Sequence, residues 1–131
     1  MPVTYVIDAS RRVIRTTCTT PLTFADVIGH FRTLKDDPAC TGHLNVLLDV
    51  SEADALPESR QLRAVSAELD GIRKKVQFGV CAIVATRDAM FGMMRVFEVA
   101  TGQYFRETRV FRDFAAAEAW LASQPAAIDP R

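Results

Sequence analysis

The sequence contains one continuous apolar run that stops at an acid and a hydroxyl: Leu44-Asn45-Val46-Leu47-Leu48-Asp49-Val50-Ser51. A run of this length and composition is typical of a buried strand, and its polar end indicates that the chain leaves the sheet there into a loop. A second apolar run, from Phe78 to Ala85, follows after about the length of one helix. Two buried strands separated by a helix predict a parallel pair joined by a crossover connection.

The segments on either side extend this pattern. Val3 to Asp8 and Arg12 to Cys18 alternate apolar and polar residues, which predicts an N-terminal β-hairpin. Tyr104 to Phe111 is predicted to be a polar, arginine-bearing strand at a sheet edge. Four helices are predicted from apolar residues at helical spacing, beginning near Thr23 (with Asp26 completing a capping box), Pro57, Asp88 and Asp113. The expected fold class is α/β: a single-domain, mixed but mostly parallel β-sheet with crossover helices.

Composition excludes several classes of partner. Sixteen basic residues balance sixteen acidic ones, so the chain lacks the positive field that attracts nucleic acid or anionic lipid. The apolar runs are far shorter than a bilayer span, so no membrane insertion is expected. Three cysteines without a C-x-x-C motif, and an N-terminus unlike a signal peptide, predict a cytoplasmic protein.

No motif in the sequence indicates catalysis. G-x-S-x-G, the P-loop and G-x-G-x-x-G are all missing, so we expect a non-enzymatic protein with no catalytic residues and no cofactor. His30, Cys40 and His43 are metal-capable, but a structural zinc site uses four ligands and no second ligand pair is present. No metal site is therefore predicted.

Candidate contact residues lie at the ends of the two buried strands. Asp49, Ser51 and Thr86 fall where α/β sheets place ligands. The Asp49 carboxylate has two alternative roles: it orients a ligand, or it accepts hydrogen bonds from backbone N–H groups of its own loop. Trp120, on the last helix, is expected to be a core anchor, so that its truncation to alanine would lower stability by roughly 3–5 kcal/mol.

The third helix is rich in methionine and aromatic residues. Met90, Met94 and Phe97 supply an apolar face, whereas helical rotation places Phe91 on the polar side. An aromatic residue there is a candidate contact, because aromatic and flexible methionine side chains suit partner surfaces and apolar ligands. The alternative is that Phe91 is covered by the loop after Thr86.

The element order and three motifs resemble the SpoIIAA-like family of the STAS superfamily, and in particular a bacterial subgroup with no assigned activity. The motifs are Leu47-Leu48-Asp49-Val50-Ser51, Ala89-Met90-Phe91-Gly92-Met93, and Val110-Phe111-Arg112-Asp113 followed by Ala119-Trp120-Leu121. The resemblance implies a βα-superhelical STAS-like domain over residues 1–123. The residues that follow, 124–131, include two prolines and are predicted to form a flexible C-terminal tail. The resemblance also implies action through protein contacts or a small ligand.

The resemblance also suggests one modification site. Antagonist members of the superfamily carry a phosphorylated serine in an Asp-Ser-Ser-Gly motif after the strand that ends in Asp-Leu-Ser. Aligning that strand with Asp49-Val50-Ser51 puts Ser59 at the phosphorylated position. Here Pro57, Glu58 and Arg60 replace the other residues of the motif.

Three functional hypotheses follow. The first is a non-enzymatic interaction module whose partner is a second copy of the chain, forming a homodimer, or an unidentified protein. The second is a carrier or sensor of a small apolar or lipid-like ligand, which requires an internal cavity near Met90, Met94 and Phe97. The third is a phospho-switch at Ser59. The expected contact residues are Asp49, Ser51, Thr86, Met90, Phe91 and Met94.

Overall fold

The computed structural model describes residues 2–54 and 58–124, apart from the side chain of Ser59. These residues form five strands and four helices: β1 Val3–Asp8, β2 Val13–Cys18, α1 Phe24–Asp36, β3 Gly42–Asp49, α2 Ser59–Ile72, β4 Val76–Val84, α3 Asp88–Ala100, β5 Glu107–Phe111 and α4 Phe114–Ser123. The α/β fold and its N-terminal hairpin are thereby confirmed. Pro57, and the predicted tail beyond Gln124, lie outside the described residues.

The five strands form one sheet in the order β1-β2-β3-β4-β5. β1 is antiparallel to β2, and the remaining neighbours are parallel, so each crossover joins adjacent strands. The hairpin strand β1 occupies one edge, a position that the sequence left open. The arginine-bearing strand β5 occupies the other edge, as predicted.

Helices cover both faces of the sheet and create two cores. The larger core lies between one face and the layer formed by α1, α2 and α3; it includes Leu34, Leu62, Val65, Leu69, Ile72, Met90, Met94 and Phe97. On the opposite face, Val80, Ala82 and Val84 of β4 pack with Ala117 and Leu121 of α4. β4 is therefore covered on both sides, as its continuous apolar sequence predicts.

Two of the predicted helix starts are confirmed. At α1, Thr23 Oγ1 accepts a hydrogen bond from Asp26 N, and Asp26 Oδ2 accepts one from Thr23 N, which completes the capping box. At α4, Asp113 accepts hydrogen bonds from the N–H groups of Ala115 and Ala116.

The other two starts differ from the prediction. Asp88 is the first residue of α3 rather than its cap, which is Arg87 without a side-chain capping bond. The Asp88 carboxylate instead accepts a hydrogen bond of 2.5 Å from Arg112, and an acid in the first turn still suits the helix dipole. α2 begins at Ser59, later than the expected start near Pro57.

Candidate functional site

A cavity of about 150 Å³ lies between the sheet and the layer formed by α1, α2 and α3. Its floor includes Ile14, Val46 and Cys81 from three neighbouring strands, and its roof includes Val27 and Val65 from two helices. An engineered protein cavity of about 150 Å³ with similar apolar walls stays dry and binds benzene. This cavity therefore has room for one aromatic ring or a comparably compact apolar group.

Residues of α3 form one end of the cavity. Met90, Met94 and Phe97 are buried and all three line it. The cavity that the small-ligand hypothesis requires is thus present at the residues where that hypothesis expects it. The thioether side chains are flexible and polarisable, so this end can adjust to the shape of a bound group.

One polar pair lies within the apolar wall. Thr16 on β2 is buried, and its Oγ1 is 3.4 Å from Nε2 of His30 on α1. The His30 ring packs between the rings of Tyr5 and Phe31, with centroid separations of 5.3 and 5.4 Å. Burial lowers the pKa of His30 to about 4, so the imidazole is neutral at pH 7.

The sequence interpretation treated His30 only as a metal ligand and did not consider Thr16. The residue spacing in β2 and in α1 does indicate that both side chains face the core. Thr16 alternates with the apolar residues Ile14 and Cys18, and His30 has helical spacing from Val27 and Leu34. Those spacings place both polar residues on the faces that become the core.

The other titratable groups in the wall are thiols. Burial and the nearby charge of Asp49 raise the pKa of Cys18 to about 11, and burial raises the pKa of Cys81 to about 12. Both are therefore protonated at pH 7 and poor nucleophiles. Among the described residues, no Asp, Glu, Lys or Arg lines the cavity, so its walls are uncharged at neutral pH.

Part of the cavity lining is accessible to solvent near the N-terminal ends of α1 and α2. Leu22 is half-buried there, Thr23 and Phe24 are exposed, and Gln61 of α2 also belongs to the lining. These helix starts adjoin the carboxyl ends of β2 and β3. Ligands in α/β sheets commonly bind at such carboxyl ends.

The predicted contact residues divide into two groups. Met90 and Met94 line the cavity, whereas Asp49, Ser51, Thr86 and Phe91 do not. Asp49 Oδ1 accepts hydrogen bonds from the backbone N and the hydroxyl of Ser51, at 2.9 and 2.6 Å. The carboxylate therefore stabilises its own turn, which is the second of the two roles considered for it.

Phe91, the candidate contact on the polar side of α3, is not the most exposed apolar residue of this helix. Phe91 is half-buried, packs against the larger core and lies under Arg112, whose guanidinium carbon is 4.3 Å from the ring centre. The most exposed apolar side chains of this helix are Val96 and Val99, at 51% and 83%. Ser59 is the first residue of α2, and its side chain is outside the described part of the structure.

Within residues 2–54 and 58–124, no group of three or more His, Cys, Asp or Glu side chains is arranged to hold a metal ion. None of the helices in the same segments is both long and apolar enough to cross a bilayer.

The chain matches no protein-family model, no curated protein and no solved structure. The similarity to the SpoIIAA-like family stays a prediction from sequence.

Proposed function

We propose that this protein is a non-enzymatic carrier or sensor that binds a small, uncharged, apolar molecule in the cavity between the sheet and α1, α2 and α3. The observation that carries the proposal is the cavity itself: about 150 Å³ of space whose described lining residues are uncharged at neutral pH and in part exposed to solvent. Small-molecule sites are commonly concave and mostly apolar, with few polar groups, and this cavity has that character.

The volume of the cavity supports a binding function energetically. Protein interiors are close-packed, and unfilled core volume lowers stability by about 24 cal/mol per Å³. Space of about 150 Å³ beside the larger core therefore leaves the side chains that line it with fewer packing contacts. A ligand that fills the space would restore part of those contacts on binding.

The volume also limits the ligand. One aromatic ring or a short alkyl chain fits, whereas two acyl chains of a phospholipid exceed the available space. Of the small apolar and lipid-like ligands considered from sequence, the geometry favours compact molecules.

The test is direct binding of benzene and indole, followed by two-dimensional ¹H–¹⁵N NMR and by the shift in melting temperature. We expect saturable chemical-shift changes concentrated at residues such as Met94 and Val46, together with a raised melting temperature. Val46→Phe should occupy the cavity and abolish binding, because Val46 is part of the lining.

The matched control uses the next residue on the same strand. Leu47 faces the opposite core with α4 and does not line the cavity, so Leu47→Phe should retain binding if the variant is folded. Failure of both ligands to bind the wild-type protein, or equal binding by Val46→Phe, would overturn the proposal.

The two other hypotheses have weaker support. Self-association through α3 depends on the exposed Val96 and Val99, a small apolar area, since Phe91 lies under Arg112. Phosphorylation of Ser59 depends on its position in the first turn of α2, where a phosphate would suit the helix dipole. Native mass spectrometry separates these hypotheses, because it resolves a dimer, a phosphate and a retained small molecule by mass.

A further inference from the structure

We propose that the ligand carries one hydroxyl group, which hydrogen-bonds to Thr16 Oγ1 and His30 Nε2, and that the preferred class is a neutral phenol or a ring-sized alcohol. This inference depends on the cavity binding a small molecule, as proposed above.

The first support is the geometry of the polar pair. The 3.4 Å between Thr16 Oγ1 and His30 Nε2 exceeds the roughly 2.7–3.2 Å of a well-formed hydrogen bond. Two polar groups in an apolar wall are therefore only weakly satisfied by each other. A ligand atom that hydrogen-bonds to one or both would lower the free energy of groups that are already desolvated.

The second support is the chemistry of the surrounding groups. Tyr5, which packs against His30, has its hydroxyl engaged with Asp37 Oδ2 at 2.6 Å. Thr16 is thus the hydrogen-bond partner that the structure gives to His30 within the cavity wall. A ligand hydroxyl both donates and accepts, so it can pair with this threonine and histidine whichever ring nitrogen of His30 carries the proton.

The third support is the absence of charge from the described lining. An ionised carboxylate or amine would lose its hydration on entering walls that offer no opposite charge, and that loss is large. A pure hydrocarbon would fit but would leave the polar pair as it is. A ring that carries a neutral hydroxyl avoids the desolvation of a charge and also provides a hydrogen-bond partner for Thr16 and His30.

The experiment compares benzene with phenol, which differ by one hydroxyl, on the wild-type protein and two variants. Thr16→Val replaces the hydroxyl by a methyl group at nearly constant volume, and Thr16→Ser retains the hydroxyl. We expect Thr16→Val to weaken phenol binding by roughly 3- to 10-fold while benzene binding stays within about twofold. Thr16→Ser should retain the wild-type ratio of phenol to benzene affinity.

A second measurement uses NMR of the His30 side chain in the wild-type protein. Phenol should shift the ¹⁵N resonances of the His30 imidazole, and benzene should shift them less. Equal losses of benzene and phenol affinity in Thr16→Val, or unaffected phenol affinity, would overturn this inference while leaving the cavity proposal intact. If neither ligand binds the wild-type protein, both proposals fail.

Discussion

Oδ1 of Asn45, in the middle of β3, accepts a hydrogen bond of 2.9 Å from the backbone N–H of Val80 on β4. The strands change register at this point: Leu44 pairs with Phe78, whereas Val46 pairs with Cys81. β4 therefore has one more residue than β3 between these pairs, as in a β-bulge, and the Asn45 side chain supplies an acceptor for the irregular segment.

The bulge has a consequence for the candidate site. Residues three apart in a regular strand face opposite sides of the sheet. Phe78 and Cys81 are three apart, yet both belong to the larger core and line the cavity. The extra residue of the bulge places both side chains on the same side of the sheet. The hydrogen bond between Asn45 and Val80 thus helps to define the cavity floor.

Substitutions at Gly79 and Asn45 should have strongly non-additive effects on the free energy of unfolding. A Cβ on Gly79 would overlap Asn45 Oδ1, so Gly79→Ala should lower the free energy of unfolding by about 2 kcal/mol or more. Asn45→Ala leaves the buried Val80 N–H without this acceptor, a loss of about 1–3 kcal/mol. In the Asn45→Ala background, Gly79→Ala should have a much smaller effect, because the next contact is Leu44 O at 3.9 Å.

Urea unfolding of the wild-type protein, the two single variants and the double variant gives the coupling free energy. Additive effects of the two substitutions would contradict the close approach described here.

Local signals explain why most of the fold could be predicted from the sequence. The capping box of Thr23 and Asp26 involves residues three apart, and the cap at Asp113 contacts the first turn of its own helix. Strand alternation and helical spacing are likewise properties of single elements. Such features need no knowledge of the rest of the chain.

The volume of the cavity and the contact between Thr16 and His30 could not be predicted in this way. The cavity volume depends on how closely side chains from several strands and three helices pack together. The residue spacing within a single strand or helix does not determine that packing. The contact of Thr16 with His30 depends on the rotation of α1 over β2. For the bulge there was a signal, since a polar residue, Asn45, lies within one predicted strand and a glycine, Gly79, lies within the other, and the two strands are neighbours.

The cysteines should be unreactive in the folded protein. Cys18, Cys40 and Cys81 are buried, and burial raises the pKa of each thiol. Because the thiolate is the reactive form, we expect no rapid reaction with Ellman's reagent at pH 7.5 and three reactive thiols after denaturation in urea. Fast reaction of even one thiol under native conditions would contradict this burial.

Trp120 should contribute less to stability than a fully buried tryptophan. It is half-buried at the border of the smaller core, where its ring centroid is 5.6 Å from that of Phe111 and 5.5 Å from the guanidinium carbon of Arg109. We therefore expect Trp120→Ala to lower the free energy of unfolding by about 2 kcal/mol, below the roughly 3–5 kcal/mol expected for a core anchor. Urea unfolding followed by circular dichroism measures the difference, and Arg109→Ala serves as a milder control. A loss above about 4 kcal/mol would restore the core-anchor interpretation.

The burial of His30 should make stability depend on pH between about 6.5 and 4. Burial lowers the pKa of His30 from 6.5 to about 4, so in this range the unfolded chain binds more protons than the folded protein. The contribution of neutral His30 to the free energy of unfolding is fully present above pH 6.5. Acidification removes it, and the loss reaches about 3 kcal/mol near pH 4. The carboxyl groups of Asp8, Asp26 and Asp37 also have lowered pKa values, but their stabilisation is lost only as the pH falls below about their ordinary value of 3.8.

Urea unfolding at pH 7, 6 and 5 of the wild-type protein and of His30→Phe isolates this effect. Phenylalanine retains a ring against Tyr5 and Phe31 but cannot be protonated, so the variant should lose less stability than the wild-type protein over this range. If the two proteins show the same pH dependence, the imidazole is protonated as readily in the folded protein as in the unfolded chain. The polar pair would then be accessible to water, which would contradict the burial of His30 described here.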